Sequence, residues 1–75
     1  MTLDKLDIGS KCILKKLLAD GITKRRLLDL GLVKKTQIKA LYKSPSGDPI
    51  AYEVRGAVIA LRSEESSKIV VECIN

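Results

Sequence analysis

Apolar and polar residues alternate in several short runs along this chain, and such alternation predicts half-buried β-strands. The clearest run follows a turn at Ser44–Pro49 and places Ile50, Tyr52 and Val54 on one face. Tyr42 keeps the phase of the apolar residues in its own run, so we expect both tyrosines to face the core. Runs with this period predict five strands, which we place at Lys11–Leu18, Thr36–Lys43, Ile50–Arg55, Ala57–Arg62 and Ile69–Ile74.

Turn-forming residues separate these runs. Gly47 permits a positive φ, and Asp48 can hydrogen-bond its own backbone before Pro49, so these three residues are assigned to a fixed loop. Gly56 lets the chain turn between the third and fourth strands. Ser63–Ser67 is expected to form a turn or a single turn of 3₁₀-helix before the last strand.

One segment breaks the two-residue period and has helical spacing instead. Leu27 and Leu30 are spaced to share one face of a short helix over Ile22–Leu30. Thr23 is the expected N-cap, and Gly31 stands where a left-handed C-terminal cap belongs. The chain therefore inserts one short helix between its first and second strands.

Five short strands with tight links predict a mostly β fold. We expect a small antiparallel barrel with the helix inserted after the first strand, because closure removes exposed strand edges. A split sheet with the helix packed across it is the alternative. The 75 residues are taken as one domain over 1–75, whose thin core must consist of Leu, Ile, Val and Ala because the chain has two Tyr and no Phe or Trp.

The residue types that most enzymes and metal sites require are scarce. There is no His, and the two cysteines do not have the spacing of a zinc site. Cys12 falls at an apolar phase of its strand, where a small buried thiol is expected. We therefore expect no enzyme, no cofactor and no metal site, with reduced thiols in a cytoplasmic protein. Because terminal strands could bring Cys12 and Cys73 together, a disulfide stays open.

The net charge of +5 favours acidic partners, whether nucleic acid, an anionic lipid surface or an acidic protein surface. An ordinary soluble domain can also carry this charge. Nucleic acid is disfavoured because base stacking requires exposed aromatic side chains, and both tyrosines have the core phase. No stretch approaches the roughly 18 apolar residues of a membrane span, and the N-terminus is too polar for a secretory signal.

Several motifs, taken in order and spacing over about residues 4 to 73, resemble the FeoA family. They are Gly9 before the first strand, Arg26–Leu32 on the helix and its cap, Gly47–Ile50, Arg55-Gly56, Ile59–Arg62 and Ile69–Val71. One departure is Lys34-Lys35, where the family usually carries a Pro-Gly turn after the helix.

The resemblance implies an SH3-like barrel and a cytoplasmic accessory role in bacterial ferrous iron uptake. The implied partner is FeoB, a membrane iron transporter with a cytoplasmic GTP-binding region. The implied mode of action is protein contact, not catalysis or iron carriage. Two alternatives are a small basic barrel that binds nucleic acid and a stand-alone relative of the C-terminal domain of iron-dependent repressors.

A docking surface for such a partner is expected on the helix. We select Lys24 and Arg25 at its start, together with Leu28, which lies off the stripe of apolar residues that faces the core. Arg62 is given a structural role, in which it pairs with Glu64 or Glu65 at the end of its strand.

Overall fold

Five antiparallel strands form one sheet in the computed structural model, which describes residues 1–74. The strands are β1 (Lys11–Leu17), β2 (Gln37–Lys43), β3 (Ile50–Val54), β4 (Ala57–Leu61) and β5 (Ile69–Cys73). Every predicted strand is present, and each is one residue shorter than predicted. The spatial order is β4-β3-β2-β1-β5, so the last strand pairs with the first. Within the described chain this hydrogen-bonded order leaves β4 and β5 as the two edges.

The helix inserted after β1 is α1 (Gly21–Asp29), and a second short helix, α2 (Ser63–Ser66), stands where the sequence predicted a turn or a single turn of 3₁₀-helix. A single 3₁₀ turn at Leu3–Lys5 precedes β1 and places Leu3 in the core. The buried cluster is aliphatic except for one tyrosine and one cysteine, and its members are Leu3, Leu6, Cys12, Leu14, Ala19, Leu27, Leu32, Ile38, Ala40, Tyr52, Val54, Leu61, Ile69 and Val71.

The start of α1 differs from the prediction. Asp20, not Thr23, is the N-cap residue, with an extended backbone. Its carbonyl accepts a hydrogen bond from the Lys24 N–H at 3.3 Å, which closes the first turn and leaves Thr23 inside the helix. The Thr23 prediction was wrong because side-chain capping preference is a local signal, whereas the chain leaving β1 decides where the helix begins.

The end of α1 confirms the predicted cap. Gly31 has a φ of +94°, in the region that L side chains rarely adopt. The Leu32 N–H donates to the Leu27 carbonyl at 3.1 Å, and the Gly31 N–H donates to the Leu28 carbonyl at 3.0 Å. This pair of hydrogen bonds is the Schellman motif, and it turns the buried Leu32 back toward the core.

The two tyrosines have opposite environments. Tyr52 is fully buried, as predicted, but Tyr42 is 60% exposed. The pairing between β2 and β3 shifts register between Ala40 and Tyr42, which is the signature of a β-bulge. A bulge adds one residue to one strand, so the residues beyond it no longer keep the facing that a strict two-residue period predicts. The expectation that Tyr42 faces the core was therefore wrong.

The Ser44–Pro49 loop connects β2 and β3 as expected, with Gly47 at a φ of +91°. The Ser44 and Ser46 hydroxyls donate to the Asp48 carbonyl at 2.7 and 2.9 Å. The Asp48 carboxylate accepts a hydrogen bond from the backbone N–H of Ser63 at 2.9 Å, in place of a bond to its own backbone. This loop therefore also holds the first residue of α2.

Arg55-Gly56 forms the two-residue hairpin between β3 and β4. Both residues have a positive φ, of 53° and 84°. Two consecutive positive φ angles are typical of the type I′ turn, whose twist matches that of the flanking strands. Gly56 thus has the role that the sequence predicted.

Candidate functional site

A groove of about 330 Å³ runs beside α1, between the helix, β1 and the segment that follows the helix cap. Its floor is apolar and its rim is basic, and none of its described lining residues is acidic. The apolar lining residues are Leu14, Leu17, Leu28, Leu32 and Val33, and the basic ones are Lys16, Lys24 and Lys34.

The helix sequence determines which leucine enters this groove. Leu27 is fully buried in the core, and Leu28, one position further around the helix, is 37% exposed. Lys24 lies four residues before Leu28, so the two side chains share one helical face. The Schellman turn then brings Leu32 and Val33 to the other side of Leu28. The predicted pair of Lys24 and Leu28 is therefore brought together in one groove.

Arg25 lies elsewhere. It does not line the groove; its side chain is 80% exposed, and its Nε is 3.6 Å from Asp29 Oδ1, four residues along the helix. An exposed pair with this spacing contributes only a few tenths of a kcal/mol. The structure thus separates two neighbouring basic residues that the sequence had grouped as one docking element.

Sequence reasoning missed the contribution of β1 and of the segment after the cap. Lys16 and Leu17 line the groove, as do Val33 and Lys34. A signal was present at Lys16, because the two-residue alternation of β1 becomes blurred there. The pairing of β1 with β5 shifts register between Leu14 and Lys16, so Leu17, three residues after Leu14, comes opposite the buried Ile69, and both leucines line the groove.

Large apolar side chains are also exposed at the two ends of the β1–α1 connection. Ile22, in the first turn of α1, is 89% exposed, and Leu18, directly after β1, is 55% exposed. Neither residue lines the groove, whereas Leu28 and Val33, which do, are 37% and 36% exposed. Apolar side chains exposed together in a groove indicate an interaction surface more strongly than residues scattered singly. The groove therefore has the chemistry of a protein-docking site.

A second cleft, of about 420 Å³, has different chemistry. Its basic lining residues are Lys11, Lys35, Lys39 and Arg55, and Glu53 is the one acidic residue among the described residues that line it. Lys11 and Lys39 are direct partners across β1 and β2. Lys35 and Arg55 are the two non-glycine residues with a positive φ in the described chain. This cleft attracts anions and offers little apolar surface.

Two buried groups have raised pKa values. Burial, and then the nearby Cys73 thiol, raise the pKa of Cys12 from 9.0 to about 11. Burial also raises the pKa of Tyr52, and the Ser66 side chain beside its hydroxyl opposes that rise to a smaller extent. Both groups are therefore neutral near pH 7, and neither lines the groove or the basic cleft.

Residues 1–74 contain no helix that is long and apolar enough to cross a membrane. In the same part of the chain, no three His, Cys, Asp or Glu residues lie together in a way that could hold a metal ion.

The sheet order and the inserted helix define a small SH3-like β-barrel. A crystal structure of FeoA from Stenotrophomonas maltophilia, complexed with zinc and described as a prokaryotic SH3 domain protein, is similar with a TM-score of 0.86 and 30% identity over 96% of this chain and 89% of that one. The sequence model of the FeoA domain matches residues 1–73. The chain therefore belongs to the FeoA family.

Two other comparisons concern the structures. The solution structure of iron(II) transport protein A from Clostridium thermocellum has a TM-score of 0.95 and 31% identity, over 99% of this chain and 46% of that one. A manganese-dependent transcriptional repressor has a TM-score of 0.90 at 18% identity, over 99% of this chain and 36% of that one. At that identity, the second likeness shows the fold alone.

Two sequence relatives link this family to iron transport. A putative Fe(2+) transport protein A from Campylobacter jejuni is 35% identical over 74 residues, which cover 99% of this chain and all of the relative. A fusion of Fe(2+) transport protein A with the Fe(2+) transporter FeoB, from Porphyromonas gingivalis, is 29% identical over 75 residues. That match covers the whole of this chain but 9% of the fusion protein.

Proposed function

We propose that this protein is a cytoplasmic accessory protein of bacterial ferrous iron uptake and acts by contact with a FeoB-type transporter. The observation that carries the proposal is the fusion relative, in which a segment similar to this whole chain is joined to FeoB. Two proteins joined in one chain in one organism are often partners when separate. The site chemistry agrees, because the groove beside α1 suits a protein segment better than a reacting small molecule.

The groove beside α1 is the proposed docking site. Its apolar floor and its rim of Lys16, Lys24 and Lys34 suit a segment that combines apolar anchors with acidic side chains. Leu28 is the anchor of this site, because it is exposed enough to meet a partner yet is held by a helix whose other face is in the core. We place the complementary segment on the cytoplasmic GTP-binding region of the transporter.

Titration of the protein with that soluble cytoplasmic region, with and without guanine nucleotide, tests the contact directly. We expect saturable binding in at least one nucleotide state, and we expect deletion of the gene to reduce ferrous iron uptake. Absence of binding in every nucleotide state, together with normal uptake after deletion, would contradict the proposal.

Matched variants test the docking site separately from the function. Leu28→Lys puts a charge into the apolar floor and should weaken binding at least about tenfold, which corresponds to about 1.4 kcal/mol. Val58→Lys makes the same change at an apolar residue of β4 that is 58% exposed and does not line the groove, and it should leave binding unchanged. Equal effects of the two variants would place the contact elsewhere.

Charge reversal on α1 is a second matched pair. Lys24→Glu reverses a charge on the groove rim, and Arg25→Glu makes the same reversal at the next residue, outside the groove. We expect the first variant to weaken binding several-fold more than the second. If both variants bind like the wild type, the Ser44–Pro49 loop is the next surface to test.

The basic cleft supports a second candidate function, which is binding of nucleic acid. Three lysines and one arginine line it, and the exposed Tyr42 on β2 offers an aromatic surface that the sequence had placed in the core. Submicromolar binding to single- or double-stranded nucleic acid that weakens steeply with salt would favour this function. Undetectable binding at low salt would remove it.

A further inference from the structure

The two cysteines of the chain are direct cross-strand neighbours. Cys12 on β1 is the Cα partner of Cys73 on β5. The Ile74 N–H donates to the Lys11 carbonyl at 3.1 Å, one residue outside this pair. In an antiparallel ladder that arrangement makes the cysteines a non-hydrogen-bonded pair, the kind whose side chains are closest, with Cα atoms about 4.5 Å apart. Disulfides span Cα distances of about 4.4 to 6.8 Å.

Both side chains lie on the same face of the sheet. Directly opposed residues in an antiparallel pair point to the same side, and Ile69 and Val71, which share the face of Cys73, are buried. Cys12 is fully buried, while Cys73 is exposed because it ends β5 at the margin of the core. The two sulfur atoms are not bonded to each other. The contribution of Cys73 to the raised pKa of Cys12 agrees with this proximity.

We propose that Cys12 and Cys73 form a dithiol modification site, which exchanges with a low-molecular-weight disulfide to give an intramolecular disulfide between β1 and β5. This proposal is independent of the proposed function, since neither cysteine lines the groove beside α1. The cysteines lie close to opposite ends of the chain, so the bond would join the first strand of the fold to the last.

The exchange has two steps. The thiolate of the exposed Cys73 attacks one sulfur of the small disulfide; a mixed disulfide forms on Cys73, and one small thiolate leaves and takes up a proton. The Cys12 thiolate then attacks the Cys73 sulfur, and the second small thiolate leaves and is protonated. The protein loses two electrons and two protons, and the small disulfide is reduced to two thiols.

Burial determines the order of these steps. Cys12 is shielded from solvent, so a reagent reaches Cys73 first. Cys12 then needs only to reach the sulfur that already lies opposite it. Because burial disfavours its thiolate, the second step is the slower one at neutral pH and accelerates as the pH rises.

Incubation of the reduced protein with oxidised glutathione, followed by mass spectrometry of the intact chain, tests the proposal. We expect a transient glutathione adduct and then a monomer that has lost two hydrogen atoms, with the Cys12 and Cys73 peptides linked after proteolysis. An adduct that persists on Cys73 even at alkaline pH, disulfide-linked dimers in place of the monomer, or two unreactive thiols would each overturn the proposal.

Two variants that retain Cys12 give matched controls. In Cys73→Ser the buried thiol should not react, because no exposed thiol remains to capture glutathione. In Glu72→Cys combined with Cys73→Ser, the exposed thiol moves by one residue to the opposite face of β5, where its Cα partner is Ile13. In this double variant the exchange should stop at the glutathione adduct, because the new thiol does not lie opposite Cys12. An intramolecular disulfide in the double variant would show that cross-strand register does not govern the reaction.

Discussion

The guanidinium of Arg26 on α1 is ion-paired with the carboxylate of Glu65 on α2. The same carboxylate accepts a hydrogen bond from the backbone N–H of Arg62 at 3.1 Å, at the start of α2. Glu65 thus ties the inserted helix to the segment between β4 and β5. The expectation that Arg62 itself pairs with Glu64 or Glu65 is corrected here, because the cation that pairs with Glu65 is Arg26 and Arg62 contributes its backbone.

Removal of this carboxylate should destabilise the fold. Glu65→Gln should lower the free energy of unfolding by about 1 kcal/mol, a modest value because the Arg26 side chain is about half exposed. The measurement is denaturant unfolding, with Glu64→Gln, at the adjacent exposed glutamate, as the control. A double-mutant cycle with Arg26→Ala should give a favourable coupling energy; zero coupling would mean that the pair contributes nothing.

The turn after α1 carries local strain that glycine would relieve. Lys35 has a φ of +72°, and it stands where the FeoA family usually carries the glycine of a Pro-Gly turn. An L residue in the left-handed region costs about 1–2 kcal/mol, and glycine avoids this cost. Part of the gain is lost because glycine also gives the unfolded chain more conformational freedom. Lys35→Gly should therefore raise the free energy of unfolding by about 0.5–1 kcal/mol.

The neighbouring lysine provides the control for this prediction. Lys34 does not have a positive φ, so Lys34→Gly relieves no strain. It should only raise the conformational entropy of the unfolded chain, which leaves the free energy of unfolding unchanged or lower. Thermal or denaturant unfolding of the two variants side by side distinguishes strain relief from loss of a lysine charge. A loss of stability in Lys35→Gly would contradict the prediction.

The Tyr52 hydroxyl is buried beside the Ser66 side chain, and no described residue makes a hydrogen bond of ordinary geometry with it. A buried polar group without a partner costs about 1–3 kcal/mol, whereas the aromatic ring contributes to packing in the core. Tyr52→Phe removes the hydroxyl and keeps the ring, so we expect the free energy of unfolding to be unchanged or higher by up to about 1 kcal/mol. Tyr52→Leu, which removes the ring as well, should be clearly destabilising. A marked loss in Tyr52→Phe would reveal a hydrogen bond to a neighbour such as Ser66.

Alkaline pH should destabilise the protein through Cys12. Its pKa is raised by burial from 9.0 to about 11, so the folded state holds this proton more tightly than the unfolded state does. The stability contributed by the neutral thiol is fully present below pH 9 and is lost as the pH rises toward 11. Tyr52 has a raised pKa too, and its contribution has the same sign.

Denaturant unfolding between pH 8 and pH 11, which brackets the Cys12 shift from 9.0 to about 11, checks this dependence. Measurements in the Tyr52→Phe background remove the tyrosine contribution. In that background, Cys12→Ser should flatten the remaining decline, since a serine hydroxyl does not ionise in this range. A decline of equal slope with and without the thiol would assign the pH dependence to other groups.

The elements of this fold were predictable to within one residue for every strand, because alternation and turn chemistry are short-range properties. The Gly31 cap and the Gly56 hairpin follow from single residues that tolerate a positive φ. The part of the groove that α1 supplies was predictable as well, since helical spacing alone puts Leu28 off the stripe that Leu27 and Leu30 form. The sequence did not predict the contribution of Lys16, Leu17 and Val33, because these residues reach the groove through the packing of β1 and the capped turn against α1.

The sequence by itself determined the five strands, the inserted helix and its cap, and the burial of Tyr52, all through interactions between residues close in the chain. Tertiary structure decided the rest. The bulge in β2–β3 pairing exposes Tyr42, the fold carries Glu65 to Arg26, and β5 brings Cys73 opposite Cys12. Each of these depends on the register and packing of segments distant in sequence, and no local pattern of residues specifies which distant partner a strand or a side chain meets.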